Sequence, residues 1–350
     1  RPNIELLPEG QFKYHVDFEH LQVTEETGMI CVSRPTNPTG NVITDEELIK
    51  LDALANQHGV PLVIDNAYGV PFPGIIFSDA RPLWNPNIVL CMSLSKLGLP
   101  GSRCGIIIAN EKIITAISNM NGIISLAPGG IGPAMMCEMI KRQDLLRLSE
   151  TVIKPFYYQR VQETIAIIRR YLPEKRCLIH KPEGAIFLWL WFKDLPITTE
   201  MLYQRLKKRG VLMVPGDYFF PGLDKPWPHT HQCMRMNYVP DPEKIEAGVK
   251  ILRHWLHPAN RNVAGQIGIH AQRPCGILTL RARVKMHHLA GAVNAGIRTA
   301  RAKDVNRLVR HLRKRLFQLL LHATNFVLPL PAVILAAIVF DTQRDFVDRR

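Results

Sequence analysis

A lysine between hydroxyl groups and an arginine follows one of the most apolar segments of the chain. Residues 87–92 are apolar and partly β-branched, which predicts a buried strand, and Ser93, Ser95, Lys96 and Arg103 come directly after it. Lysine is rare at the end of a buried strand unless it is paired or reactive. Loss of hydration there lowers the pKa of the ammonium group, and the free amine can then attack a carbonyl carbon.

The same segment has the groups needed to hold a phosphate. Ser93 and Ser95 offer hydroxyl groups, and the guanidinium group of Arg103 can bind a phosphate through parallel hydrogen bonds. A reactive lysine beside phosphate-binding groups suits pyridoxal 5'-phosphate (PLP), whose aldehyde a lysine holds as a Schiff base. We therefore predict that Lys96 is the Schiff-base lysine of a PLP site.

Two other predicted strands lead to polar groups that such a site requires. The strand at 29–33 leads into a turn that contains Asn37, and the strand at 61–65 ends at Asp65, with Tyr68 close behind. Ligands of open α/β sheets bind outside the carboxyl ends of the strands, so these groups are expected near Lys96. A carboxylate at Asp65 would keep the ring nitrogen of PLP protonated, and Asn37 and Tyr68 could donate to its phenolic oxygen.

A further arginine lies in the second half of the chain. Arg235 is in a short strand predicted at 233–238 and could bind the α-carboxylate of a substrate through a two-pronged contact. Taken singly, each feature has an ordinary explanation: Asn-Pro-Thr-Gly is a common turn, a strand-end aspartate is often a cap, and Arg235 could equally form a salt bridge. The ordered combination of Asn37, Asp65, Tyr68 and Lys96 is the specific signal.

The surrounding pattern predicts an α/β protein. A helix at 44–58, with a capping box from Thr44 to Glu47, lies between two of the strands, and a further strand is expected at 105–109. The region 132–170 is predicted to be helical with breaks at Pro133 and Pro155. A second α/β pattern follows, with strands at 185–191, 211–214 and 233–238 and helices at 198–209 and 241–256.

Four segments that contain these motifs resemble the class I/II aminotransferases, which are enzymes of PLP fold type I. The segments are residues 30–42, 63–74, 93–105 and 233–238. Within that class, the sequences of these segments are similar to those of members that exchange an amino group between alanine or valine and a 2-oxo acid (pyruvate or 3-methyl-2-oxobutanoate). The resemblance implies a mostly parallel sheet with helices on both faces, a smaller C-terminal α/β domain and a homodimer. It gives Lys96, Asp65, Asn37 and Tyr68 the roles proposed above. It also places Ser93, Ser95 and Arg103 on the phosphate and Arg235 on the substrate carboxylate.

The resemblance covers residues 1–252 and predicts three regions. These are a partial PLP-binding domain at 1–154, a small C-terminal domain at 155–256 and a basic tail at 257–350. We expect the family's N-terminal segment, which contributes part of the phosphate site and a ring stacked on the cofactor, to be missing before Arg1. That expectation puts the competence of the chain on its own in question.

The composition of the last hundred residues differs from that of the rest. Residues 253–350 hold 17 of the 44 Lys and Arg residues but only 4 of the 30 Asp and Glu residues, and no glutamate. We interpret this tail as translation of a shifted or foreign reading frame. Two other interpretations of the tail are open. One is a basic helix at 298–315 that binds nucleic acid or acidic lipid. The other is a membrane anchor at 326–340, although this segment is shorter than the roughly 20 residues that span a bilayer. Residues 1–252 are nearly neutral, so no nucleic-acid partner is expected there.

The seven cysteines are scattered, without the spacing of a zinc site or a disulfide framework. This favours a cytoplasmic protein without a metal. Two other functions remain open besides the aminotransferase. One is another fold-type I PLP enzyme, such as a lyase or decarboxylase, because the same cofactor supports several reactions. The other is a non-catalytic PLP-binding regulator of transcription, which would show salt-dependent DNA binding.

Overall fold

The computed structural model describes residues 1–98, 100–126, 128–223, 225–256 and 336–338. These residues all belong to one compact unit. The predicted tail at 257–350 therefore lies outside the described residues, apart from one short strand. Among the described residues, no helix combines the length and apolar character needed to cross a membrane.

The secondary structure consists of eleven described strands and seven described α-helices. The strands are β1 Asn3–Leu7, β2 Gln11–His15, β3 Ile30–Ser33, β4 Leu62–Asp65, β5 Ile88–Ser93, β6 Gly105–Ile108, β7 Leu178–His180, β8 Phe187–Trp191, β9 Val214–Pro215, β10 Cys233–Asn237 and β11 Ala336–Ile338. The helices are α1 Asp45–Gln57, α2 Glu111–Ser125, α3 Ile131–Lys141, α4 Asp144–Leu148, α5 Lys154–Tyr171, α6 Thr199–Lys207 and α7 Pro242–Leu256.

The first sheet has the strand order β11-β6-β5-β4-β3. Strands β3, β4 and β5 are parallel, as predicted, and their register places Ser33, Asp65 and Cys91 in one row. The strand predicted at 105–109 is present as β6, and it runs antiparallel to β5. A parallel return needs a crossover of about a dozen residues or more, usually a helix, and the connection at 94–104 holds only two short 3₁₀ turns.

The capping box predicted at the start of α1 is confirmed. Thr44 Oγ1 accepts a hydrogen bond from the amide of Glu47 (3.1 Å), and Glu47 Oε2 accepts one from the amide of Thr44 (2.9 Å). The same carboxylate also accepts the amide of Val16 (2.9 Å), which joins the start of α1 to the segment after β2. The helix ends at Gln57, and Gly59, two residues later, has a positive φ, a conformation that glycine adopts readily after a helix.

The second sheet has the order β1-β2-β7-β8-β10-β9 and is antiparallel except where β2 meets β7. Strand β2 therefore pairs with β7, a strand of the second half of the chain. The pairing is supported by the burial of β2, where Phe12 packs edge-on against the rings of Trp191 and His180. The division of the chain at 155 and 257 stays a prediction.

A break in the helical region is predicted at Pro155, but the structure is helical on both sides of this residue. Helix α4, a π-helical turn at Ser149–Ile153 and α5 follow one another, and Pro155 lies in the first turn of α5. Proline has no N–H to give to the preceding turn, and the wider π turn accommodates that loss. Pro133 likewise lies in the first turn of α3, where its missing N–H is not needed.

Two apolar cores support the sheets. One lies between α1 and the strands of the first sheet, with Leu48, Leu62 and Ile88 fully buried. The other lies between the second sheet and helices α5, α6 and α7, with Ile168 and Leu190 fully buried. A single β-bridge between Ile76 and Gly184 connects the segment after β4 to the second sheet. The carboxyl ends of β3, β4 and β5 thus lie next to a supporting layer from the other half of the chain.

Candidate active site

Lys96 lies in a 3₁₀ turn, Ser95–Leu97, directly after β5. The turn is anchored by Leu94, which is fully buried and whose amide donates to the carbonyl of Cys104 (3.1 Å), and by the buried side chain of Leu97. The lysine itself is half-buried. Burial, and to a lesser extent the positive charge of Arg103, lowers the pKa of Lys96 from its ordinary value. The structure therefore supports the prediction that this amine is easier to deprotonate than an exposed one.

Tyr68 is an aromatic neighbour of this lysine. Lys96 Nζ lies 5.3 Å from the centroid of the Tyr68 ring, whose edge meets the ring of Phe187. The tyrosine is only 5% exposed. Burial raises the pKa of Tyr68 to about 12, against an opposing contribution from Arg235 and with a supporting one from Asp65. The phenol consequently keeps its proton at neutral pH and can donate it in a hydrogen bond.

Arg235 and Asn37 meet across the two sheets. Arg235 lies in the middle of β10, opposite Trp189 of β8, and its Nη1 donates to Oδ1 of Asn37 (2.7 Å). The guanidinium carbon lies 4.3 Å from the ring centroid of Phe187 and 5.2 Å from that of Phe219. Burial lowers the pKa of Arg235 from its high ordinary value, and the nearby Tyr68 opposes that shift. The group is held in place by an aromatic face and an amide.

Asp65 ends β4 and lies in the row formed with Ser33 and Cys91. Its Oδ1 accepts the amide of Ala67 (3.2 Å), and its Oδ2 accepts the hydroxyl of Ser33 (3.4 Å). Burial raises the pKa of Cys91 to about 11, and the negative charge of Asp65 adds to that effect. The negative charge of Asp65 also raises the pKa of Tyr68, so its carboxylate lies within electrostatic reach of Tyr68, the neighbour of Lys96.

The predicted phosphate-binding residues lie in the same loop as the lysine. Ser93 Oγ accepts the amide of Ser95 (3.2 Å), and Ser93 is the last residue of β5, opposite Gly105 of β6. Arg103 adopts a positive φ of 47°, and its charge contributes to the lowered pKa of Lys96. The antiparallel return of β6 is what brings this arginine back beside the end of β5.

The sequence profile of the class I and II aminotransferases matches residues 8–252. The chain belongs to this family. Over 259 residues it is 94% identical to the valine–pyruvate aminotransferase of Escherichia coli K12, an alignment that covers 74% of this chain and 62% of that protein. The chain thus spans somewhat less than two thirds of the length of that relative.

Solved structures agree with the assignment to the aminotransferases. The crystal structure of valine–pyruvate aminotransferase from Salmonella typhimurium LT2 matches with a TM-score of 0.73 and 88% identity, over 75% of this chain and 68% of that one. A putative amino-acid aminotransferase from Psychrobacter arcticum matches with a TM-score of 0.72 and 47% identity, over 75% of this chain and 62% of that one. The predicted family and α/β fold class are confirmed.

Within this aminotransferase fold, the structure brings the predicted residues together at one edge. Lys96 contacts Tyr68 and Arg235 contacts Asn37, the ring of Phe187 contacts both Tyr68 and Arg235, and the charge of Asp65 acts on Tyr68. The other predicted residues, Ser93, Ser95 and Arg103, belong to the loop that carries Lys96.

The aromatic support of Arg235 was not predicted from the sequence. Phe187 was placed correctly in a strand, but its position beneath the guanidinium group depends on the register of β8 with β10. Phe219 lies in a 3₁₀ turn without a repeating pattern, so the sequence gives no signal for its role. Which side chains flank an arginine is decided by pairing between distant strands, and local periodicity does not contain that information.

Proposed function

We propose that this protein is a PLP-dependent aminotransferase that exchanges an amino group between alanine or valine and a 2-oxo acid, either pyruvate or 3-methyl-2-oxobutanoate. The observation that carries the proposal is the position of a lysine of lowered pKa beside Tyr68, whose ring contacts Phe187, the same residue that flanks the Arg235–Asn37 pair. The high identity to an enzyme named for valine and pyruvate supports the substrate class. We further propose a homodimer located in the cytoplasm.

The donor set at this edge fits PLP. The amine of Lys96, the carboxylate of Asp65 and the protonated phenol of Tyr68 are the three kinds of group that an aldehyde, a pyridine nitrogen and a phenolic oxygen require. In this assignment Asn37 joins Tyr68 at the phenolic oxygen, and Ser93, Ser95 and Arg103 hold the phosphate. When bound, PLP supplies the electron sink for the pair released as the Cα–H bond of an amino acid breaks.

Lys96 moves the proton in this proposal. Its amine has a pKa below the ordinary lysine value and is therefore more readily available as a base than that of an exposed lysine. With the cofactor bound, Nζ of Lys96 would accept the proton that leaves Cα of the substrate and would give a proton back later in the transfer.

Arg235 binds and orients the substrate. A guanidinium group holds a carboxylate through two parallel hydrogen bonds, which fixes both the position and the plane of the bound acid. Asn37 occupies one donor atom of Arg235, and the rings of Phe187 and Phe219 flank the group. In this assignment the carboxylate is held by Arg235, and the small apolar side chains of alanine and valine add no charge.

A nitrogen-transfer experiment tests the proposal. The full chain is loaded with PLP and mixed with ¹⁵N-labelled L-valine and pyruvate, and the expected product is ¹⁵N-labelled L-alanine, detected by NMR. Lys96→Arg should abolish the transfer, whereas Lys112→Arg, a change on the exposed surface of α2, should not. Release of carbon dioxide without nitrogen transfer would identify a decarboxylase. A folded, PLP-loaded chain that produces neither would contradict the proposal.

A further inference from the structure

The inference concerns a buried ion pair that lies outside the site described above. Lys13 of β2 and Glu183, in the connection between β7 and β8, are 5% and 4% exposed. Lys13 Nζ donates to Glu183 Oε2. Two buried charges pay a large desolvation penalty, and such a pair adds little to stability compared with well-packed apolar side chains. A role in positioning other groups would explain its presence.

Both partners of the ion pair also bind the loop that carries Asn37. Lys13 Nζ donates to Oδ1 of Asn41 (3.2 Å) and to the carbonyl of Val42 (3.0 Å). On the other side, Glu183 Oε2 accepts the amide of Val42 (3.0 Å). The chain at Asn41 and Val42 is therefore held through a side chain, a carbonyl and an amide at once.

The loop is stiff between this attachment and Asn37. The amide of Thr36 donates to the carbonyl of Asn41 (2.9 Å), and the amide of Gly40 donates to the carbonyl of Thr36 (2.8 Å). Gly40 has a φ of +71°, and a Cβ there would lie 2.7 Å from the carbonyl oxygen of Gly184, so the loop packs directly on the residue after Glu183. Any displacement of Asn41 is consequently passed on to Asn37.

We infer that Lys13 and Glu183 are positioning residues that hold the loop at 36–42 so that Asn37 meets Arg235. This inference rests on the proposed function, because it assigns these residues to the binding of the substrate carboxylate. Without the ion pair, Asn37 would no longer fix the plane of the guanidinium group. The carboxylate would then bind less tightly, while the lysine turn after β5, which is built from other contacts, would be unaffected.

The test compares the double variant Lys13→Met/Glu183→Leu with Lys181→Met. The double variant replaces both charges by apolar side chains and so leaves no charge buried alone. Lys181 Nζ also approaches Glu183, at 3.6 Å from Oε1, but its side chain is 47% exposed, which makes it a matched control. The readouts are the melting temperature, amide hydrogen exchange of the segment 36–43, the KM for L-valine and the kcat.

For the double variant we expect a modest fall in melting temperature, because the buried backbone groups of Val42 lose their partners, and exchange of the 36–43 segment at least tenfold faster. We also expect a KM raised at least tenfold and a kcat that falls by a smaller factor, because Asn37 is also assigned to the phenolic oxygen of PLP. Lys181→Met should match the parent in all four. A double variant with parental exchange and KM would overturn the inference, as would an equal rise of KM in Lys181→Met. If the double variant does not fold, Asn41→Ala takes its place, because it removes one link to the loop and keeps the ion pair. Asn41→Ala should shift hydrogen exchange and KM in the same direction as the double variant. No shift in either quantity overturns the inference.

The hydrogen-exchange readout separates the two proposals. If the parent chain transfers no nitrogen from valine to pyruvate, the proposed function fails, whatever the loop does. If the parent is active and the double variant keeps its KM, only the role of the ion pair fails. Faster exchange with an unchanged KM would show that Lys13 and Glu183 hold the loop but not the substrate site, and this too overturns the inference.

Discussion

Arg235 and Asn37 are 198 positions apart in the chain, and a hydrogen bond of 2.7 Å joins them. Arg235 belongs to the second sheet, whereas Asn37 follows the first strand of the first sheet. The proposed carboxylate site therefore exists only when both sheets are in place. Substrate affinity in this protein should depend on contacts that are far from the lysine.

Lys96 should react with aldehydes faster than an exposed lysine, because burial lowers its pKa and raises the fraction of free amine at about pH 8. Reductive alkylation with a small aldehyde, followed by peptide mapping, measures this, with Lys112 as the exposed reference within the same sample. Prior loading with PLP should protect Lys96 and leave Lys112 unchanged. Equal labelling of the two lysines, or labelling of Lys96 that PLP does not reduce, would count against its assigned role.

Tyr68→Phe should reduce amino transfer by roughly tenfold to a hundredfold, since a hydrogen bond to a charged group contributes about 1.5–3 kcal/mol. The phenol has a pKa of about 12, so it stays protonated and able to donate throughout the physiological range. Ultraviolet titration should show that the variant has lost a tyrosine signal that ionises near that pH. Tyr158→Phe, at an exposed position on α5, is the control and should leave activity unchanged. A fully active Tyr68→Phe protein would remove the phenol from the site.

The convergence of Asn37, Asp65 and Lys96 could be predicted from the sequence because it follows from a general property of sheets. Each residue comes at or just after the end of a predicted strand, and the ends of parallel strands share one edge. Helix α1 could also be predicted from the sequence, because its capping box and its apolar spacing are local signals. Features that depend on neighbours along the chain were therefore predicted correctly.

Features that depend on pairing between distant segments were not predicted. The direction of β6 follows from the lack of a crossover helix after Lys96. The position of β2 follows from its partner β7, where Gln11 pairs with Ile179, 168 positions later in the chain. The ion pair of Lys13 with Glu183 belongs to the same class, with a separation of 170 positions. A lysine flanked by aromatic residues in an alternating strand indicates an exposed side chain, and only the tertiary structure shows that Lys13 is buried.

Glu47→Gln should destabilise the protein by about 1 kcal/mol at neutral pH, the usual magnitude for loss of a helix cap. Burial alone would raise the pKa of Glu47, but hydrogen bonds from the amides of Thr44 and Val16 outweigh it and hold the pKa below its ordinary value. A depressed carboxyl pKa stabilises the fold above the unfolded pKa of about 4.3, and this contribution is lost as the pH falls through the folded value.

The difference between the parent and Glu47→Gln should consequently shrink on acidification. Urea unfolding at about pH 7 and about pH 3 measures both free energies, provided that unfolding is two-state at each pH. Glu46→Gln changes an exposed neighbour in the same helical turn and should be close to the parent at both values. A difference for Glu47→Gln that does not vary with pH would show that its charge is not what stabilises the start of α1.

Arg235→Lys should raise the KM for the amino acid more than tenfold and leave PLP affinity unchanged. Lysine keeps the positive charge but offers a single point of contact, so one of the two parallel hydrogen bonds to the carboxylate is lost, together with the planar contact on Phe187 at 4.3 Å. Each charge-assisted hydrogen bond contributes about 1.5–3 kcal/mol, and 1.4 kcal/mol corresponds to a factor of ten in binding. Arg209→Lys, at an exposed position after α6, is the control and should keep the parental KM.

The decisive comparison for Arg235 is between substrate and cofactor. Steady-state kinetics give the KM for L-valine, and absorbance titration gives the dissociation constant of PLP for the same preparations. A raised KM with unchanged PLP binding places Arg235 on the substrate, as its hydrogen bond to Asn37 at the joint of the two sheets implies. Weakened PLP binding with an unchanged KM would instead make Arg235 a structural support of Tyr68, whose pKa it already influences.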